Sequence, residues 1–132
     1  MAPNTKMKIF KGYWTIYDVI KSPNCLFLFG DNDAEFGKLG QAVIRDCSNS
    51  AGIPTKKYPS NHPNSFYTDA EYETNKKNID TAIRKILDRA PTFEYVIFPE
   101  NGFGTGLSDL HNKAPKTNAY LGSAVAKMID SL

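Results

Sequence analysis

The 132-residue sequence predicts a single α/β domain over residues 1–132, with a flexible start at residues 1–6. A mainly parallel sheet should lie between helices in three layers. Three observations predict this. Two apolar runs, Cys25–Phe29 and Tyr95–Phe98, have strand length and no polar alternation, the pattern of strands buried on both faces. Two later stretches repeat apolar residues at helical spacing: Ile79, Ala82, Ile83, Ile86 and Leu87, then Leu121, Ala124, Val125, Met128 and Ile129. Strands and amphipathic helices alternate, which argues for parallel pairing through crossovers.

In chain order, Lys8-Ile9-Phe10 reads as a short first strand. Tyr13–Lys21 reads as a short helix with Trp14, Tyr17, Val19 and Ile20 available for one face, and Pro23 closes it. Gly30-Asp-Asn-Asp33 breaks the strand Cys25–Phe29. Gly40–Cys47 is expected to be a short helix carrying Ala42, Val43 and Ile44. Gly52–Pro59 cannot be helix interior because of its prolines, so it is an extended segment with room for a short strand. Thr68 and Glu71 have the spacing of a capping box ahead of a helix over Thr68–Ala90, which Pro91 stops. Pro99 ends the strand Tyr95–Phe98, a glycine-rich stretch Glu100–Leu107 follows, and a helix over Thr117–Ser131 comes last.

A chain of this length buries roughly two-thirds of its unfolded surface, enough for one core. Hydrophobic residues make up 41% and charged residues 23%, a globular and not a disordered balance. Sixteen Lys+Arg against fourteen Asp+Glu give +2, too small for a protein that coats extended nucleic acid. Cys25 and Cys47 are not spaced as a metal or disulfide motif and read as free thiols of a reducing compartment. The longest apolar run is far short of the roughly 20 residues of a membrane span, and the first residues lack a signal-peptide stretch. A cytoplasmic protein without membrane, metal or cofactor is the expectation.

In open parallel sheets, ligands bind beyond the carboxyl ends of the strands. The strands Cys25–Phe29 and Tyr95–Phe98 both end there in polar, glycine-bearing loops. The first runs from Phe29 through Gly30, Asp31, Asn32 and Asp33, then Phe36-Gly-Lys-Leu-Gly-Gln41. The second is Pro99-Glu-Asn-Gly-Phe-Gly-Thr-Gly106. Neither matches a Walker A loop or GxGxxG. Glycine backbone can approach a ligand closely, and consecutive N–H groups can cradle an anion. A helix opening at Gly40 would add an N-terminal phosphate seat. Asp31 and Asn32 can hydrogen-bond a ribose or orient a water, or simply form a turn that ends the strand. Arg45 can bind an anion or pair with an acid, and Lys56 and Lys57 fit a solvated pair. Glu100 is the best-placed candidate base, and His62 and His111 lack a partner at fixed spacing. No serine has a nucleophile-elbow context. Tyr58, Phe66, Tyr67 and Phe103 suit packing more than stacking on a base.

Leu26-Phe-Leu-Phe-Gly-Asp-Asn32, Gly37-Lys-Leu-Gly-Gln-Ala-Val-Ile-Arg45 and Val96-Ile-Phe-Pro-x-x-Gly-x-Gly-Thr-Gly106 together resemble a divergent macrodomain. The resemblance covers roughly residues 24–50 and 94–130; the loop Gly37–Gly40 lacks that family's consecutive glycines. It implies binding of ADP-ribose or a derivative. By position, Asn32 would face the distal ribose, Gly37, Gly40 and Gln41 would form one phosphate loop, and Gly102–Gly106 the second. The string also resembles small uncharacterised phage and bacterial proteins with Gly-Asp-Asn, Gly-Ile-Pro-Thr-Lys and Gly-Thr-Gly motifs.

The expected function is binding, with or without hydrolysis, of an ADP-ribose-like nucleotide or nucleotide-derived signal. Catalytic candidates are Asn32, Asp31 and Glu100. Ligand-binding candidates are Gly30, Gly37, Gly40, Gln41, Arg45, Asn101, Gly102, Phe103, Gly104, Thr105 and Gly106. The alternatives are a non-catalytic reader or sponge of a signalling nucleotide, and an interaction protein whose loops are structural.

Overall fold

A computed structural model describes residues 5–132. Four strands, β1 (Lys6–Phe10), β2 (Cys25–Asn32), β3 (Ser50–Lys56) and β4 (Tyr95–Pro99), form one all-parallel sheet in the order β1-β4-β2-β3. The two apolar runs are thus the two central strands. Helices cover both faces: α1 (Ile16–Ile20) on one, and α2 (Tyr72–Arg89) and α4 (Pro115–Asp130) on the other, with a short α3 (Leu110–Lys113) between β4 and α4. This is a three-layer α/β domain. No helix among the described residues is long and apolar enough to cross a membrane.

Alternation along β2 divides the core. Leu26 and Leu28 point to α2 and α4, where they meet Ile79, Ile83, Ile86, Leu121 and Met128. Phe27 and Phe29 point the other way, to Trp14, Val19, Ala42 and Ile44. Burying such side chains stabilises by about 1.5–3 kcal/mol each.

Several local expectations are corrected. Of the stretch 1–6, the first four residues lie outside the described ones; Thr5 is buried with its hydroxyl on Ala90 O at 2.9 Å, and Lys6 opens β1. Gly40–Cys47 is not an α-helix but a single 3-10 turn, Gly40–Ile44, too short to build an N-terminal phosphate seat. Thr68 and Glu71 form no capping box: Thr68 makes no capping bond, and the Glu71 carboxylate pairs with Lys57. The capping box lies instead at Thr15 and Asp18, where it starts α1. A 3-10 turn over Asp69–Glu71 precedes α2.

The segment expected as extended begins earlier, as β3, and lies at the sheet's edge. Phe27 N–H donates to Asn49 O at 2.9 Å, so odd-numbered residues of β3 face β2 and Ser50, Gly52 and Pro54 face outward. Pro54, without an N–H, sits where no partner strand needs one. The outward Ser50 carbonyl accepts from Arg89 at 2.8 Å.

Candidate functional site

The carboxyl ends of β2 and β4 form a topological switch point. The chain leaving β2 goes to the face of Phe27 and Phe29, where Ala42 and Ile44 pack. The chain leaving β4 goes to the opposite face, through Phe103 and Leu110 to α4. Adjacent strands with diverging exits leave a crevice between them, the usual ligand position of open α/β sheets. The strands part early: β2 pairs with β4 only from Cys25 to Phe27, while it continues along β3 to Asn32.

Gln41 spans the gap. Its Oε1 accepts from Gly30 N–H at 2.7 Å, and its Nε2 donates to Gly102 O at 3.0 Å. One carboxamide thus stands in for the missing rungs and joins the two loops singled out in the sequence. Trp14 Nε1 donates to Gln41 O at 3.0 Å and anchors that residue in turn.

Arg45 is occupied internally. It forms an ion pair with Asp31 at 2.6 Å, with both side chains largely buried, and donates to Gly37 O at 2.9 Å and Phe36 O at 3.2 Å. Its guanidinium also lies 5.3 Å from the centre of the Phe29 ring. Arg45 therefore holds the loop after β2 over the sheet, and Asp31 is neutralised by it. Gly40 only opens the 3-10 turn.

Glu100 is exposed, and its carboxylate accepts from Gly12 N–H at 3.2 Å, toward β1. Asp31 instead lies against Gly52 of β3. The two expected acids are on opposite sides of the central strands and do not form a pair. His62 Nδ1 accepts from Asn64 N–H at 3.1 Å; His62 and His111 are both exposed, His62 on a loop and His111 in α3.

In the second loop, Phe103 is core: its ring packs edge-on to Phe98 at 6.2 Å between centres. Gly104 has φ +80°, and a Cβ there would sit 2.9 Å from Leu110 Cβ. Its substitution would disturb packing as well as any ligand. Asn101 O accepts from the Thr105 hydroxyl at 3.1 Å. Gly102 N–H closes a turn onto Pro99 O at 3.1 Å. Beyond it, among the described residues, none of the six successive N–H groups from Phe103 to Ser108 donates to a protein acceptor. Thr105, Gly106 and Leu107 are exposed.

Asn32 lines a cleft of about 720 Å³ along the free edge of β3, together with Asp31, Asp33, Arg45 and Asn78, and none of Gly102–Gly106 lines it. In the sequence Asp33 reads only as part of the loop after the strand and Tyr67 only as a packing residue; their pairing is not legible there. The fully buried Tyr67 hydroxyl donates to Asp33 Oδ1 at 2.5 Å. Burial raises the Asp33 pKa above its ordinary value, against the opposing pull of Tyr67, Asn78 and Lys57. Burial likewise raises that of Tyr67, aided by Asp33. The only sequence signal for Asp33 was its place as the third polar residue after a buried strand.

No curated protein and no solved structure matches the chain. Residues 9–124 match the model of a family of unknown function, DUF7831. That span takes in all of β2, β3 and β4, both loops at the switch point and most of α4, and by it the chain belongs to the DUF7831 family.

Proposed function

We infer that this protein binds a nucleotide-derived ligand of the ADP-ribose type, with its phosphates on the loop Phe103–Ser108. The observation that carries this reading is the run of six N–H groups without protein acceptors at the carboxyl end of β4. Successive backbone N–H donors can bind phosphate oxygens without a lysine or arginine, which agrees with a net charge of only +2. Binding fits better than turnover. Asp31 is held by Arg45, and Glu100 is tied to Gly12 on the far side of the central strands.

Gly106 offers the clean test. A Cβ there meets nothing within 4 Å, and its φ is not in the left-handed region. Gly106→Val should leave the fold intact while crowding an approaching phosphate. Calorimetry with ADP-ribose should show saturable binding to the wild type and at least about tenfold weaker binding to the variant, the usual order for losing one or two charge-assisted hydrogen bonds. An unchanged affinity would remove this loop as the phosphate seat. No heat with ADP-ribose, ADP or ADP-ribose 1″-phosphate would end the reading itself.

A further inference from the structure

The cleft along β3 lies on the opposite side of β2 from the loop after β4, and its lining includes Asp31, Asn32 and Asp33. Asn32 is only 6% exposed, and its Oδ1 is buried with no hydrogen-bond partner among the described residues. The orientation of this amide is set by its other atom: Nδ2 donates to Phe36 O at 2.9 Å, so exchanging the two would bring two oxygens together. Buried acceptors without donors are rare in folded proteins.

Its neighbours add acceptors. Asp33 accepts from Tyr67 through Oδ1, and the Asn78 amide lies close enough to lower its pKa. Asp31 uses Oδ1 for Arg45 and for Asn32 N–H, leaving Oδ2 against Gly52. The ladder phase of β3 turns the Gly52 carbonyl outward, away from β2. The arginines lining the cleft are already committed: Arg45 to Asp31, Phe36 O and Gly37 O, and Arg89 to Ser48 O and Ser50 O. Among the described residues no three His, Cys, Asp or Glu side chains are placed to hold a metal ion. The complementary group is therefore a compact bearer of several N–H donors and positive charge.

We propose that the cleft is a second binding site, which takes the guanidinium or primary ammonium head of a cationic ligand on Asn32 Oδ1, Asp33 and the Gly52 carbonyl. A planar guanidinium matches this set best, because its donors diverge in a fixed fork toward separate acceptors. Lys85, exposed at the rim, opposes a cation and limits affinity.

Agmatine, with a guanidinium at one end and an ammonium at the other, is the probe, and butylurea is its uncharged counterpart. Calorimetry should show saturable agmatine binding to the wild type and none for butylurea. Amide shifts on titration should centre on Asn32, Asp33, Gly52 and Asn78. Asp33→Asn keeps an acceptor for Tyr67 but removes the charge, and should weaken agmatine binding by about tenfold or more. Lys85→Gln should tighten it. Both variants should bind ADP-ribose as the wild type does, so the two sites succeed or fail separately. Absent agmatine binding, an equal response to butylurea, or an affinity unchanged in both folded variants would overturn the proposal.

Discussion

Asp33 shows how one residue's environment becomes a measurable property of the whole chain. Partial desolvation raises its pKa above the ordinary carboxylate value, though the residue itself is exposed, and Tyr67, Asn78 and Lys57 offset only part of that. The folded state therefore holds the proton more tightly than the unfolded state. Its stabilising contribution is complete below the unfolded pKa and is lost as pH rises through the folded one. Asp33→Asn cannot ionise and still accepts from Tyr67. It should flatten this loss, so that its melting temperature exceeds that of the wild type at neutral pH and the difference shrinks toward pH 3, where roughly all the wild-type carboxyl is protonated. A scan of melting temperature against pH reads both. Such effects could not be seen in the sequence, because the partners of Asp33 arrive from Tyr67 and Asn78, across a loop and a helix. Arg45 carried the same ambiguity between anion and acid, and only the fold brings Asp31 to 2.6 Å.

Among the elements, α2 and α4 were legible because each is long enough to repeat its apolar stripe over several turns. β3 was half-legible: Gly52 and Pro54 argue against a strand, and an outward-facing edge is where a strand tolerates them. The capping residues were misread because spacing alone cannot tell which threonine bonds a helix end. The cap of α4 was invisible for a further reason. It comes from Asp69, which accepts from the N–H groups of Lys116 and Thr117, each at 2.9 Å, and from the Thr117 hydroxyl at 3.0 Å. Burial alone would raise the pKa of this carboxyl, but those bonds and the charge of Lys116 outweigh it and lower the value. Asp69→Ala should cost about 1 kcal/mol, as lost caps do. Because the folded pKa is depressed, the part due to charge should be present above the unfolded pKa and vanish as pH falls through the folded one. Denaturant unfolding at neutral and acid pH measures both values.

For the molecule as a whole, the three layers followed from periodicity, but the strand order did not, since nothing local in Lys6–Phe10 names β4 as its neighbour. Nor did the sequence reveal that its two glycine-bearing loops are joined. Gln41 connects them, reaching Gly30 on one side and Gly102, 61 residues away, on the other. Gln41→Ala would leave the Gly30 N–H and the Gly102 carbonyl without that link, at an expected cost of about 1–3 kcal/mol. Amide exchange should quicken at Gly30 while remaining slow at Phe27, where β2 is still paired on both sides. Equal exchange at Gly30 in variant and wild type would show that the crevice stays closed without the glutamine.

The order β1-β4-β2-β3 also has a consequence in time. On the ribosome, β1, β2 and β3 emerge first, yet β1 has no hydrogen-bonded neighbour among them, because the strand that touches it is made last. Until Tyr95–Pro99 appears, the nascent chain carries two pieces of a sheet with a strand-wide slot between them, and Leu26 and Phe27 border that vacancy. Contacts of this separation are slow to form, and unfilled strand edges invite wrong partners. The middle of the sheet is thus its last strand to be made, and the early strands wait for it with an open edge.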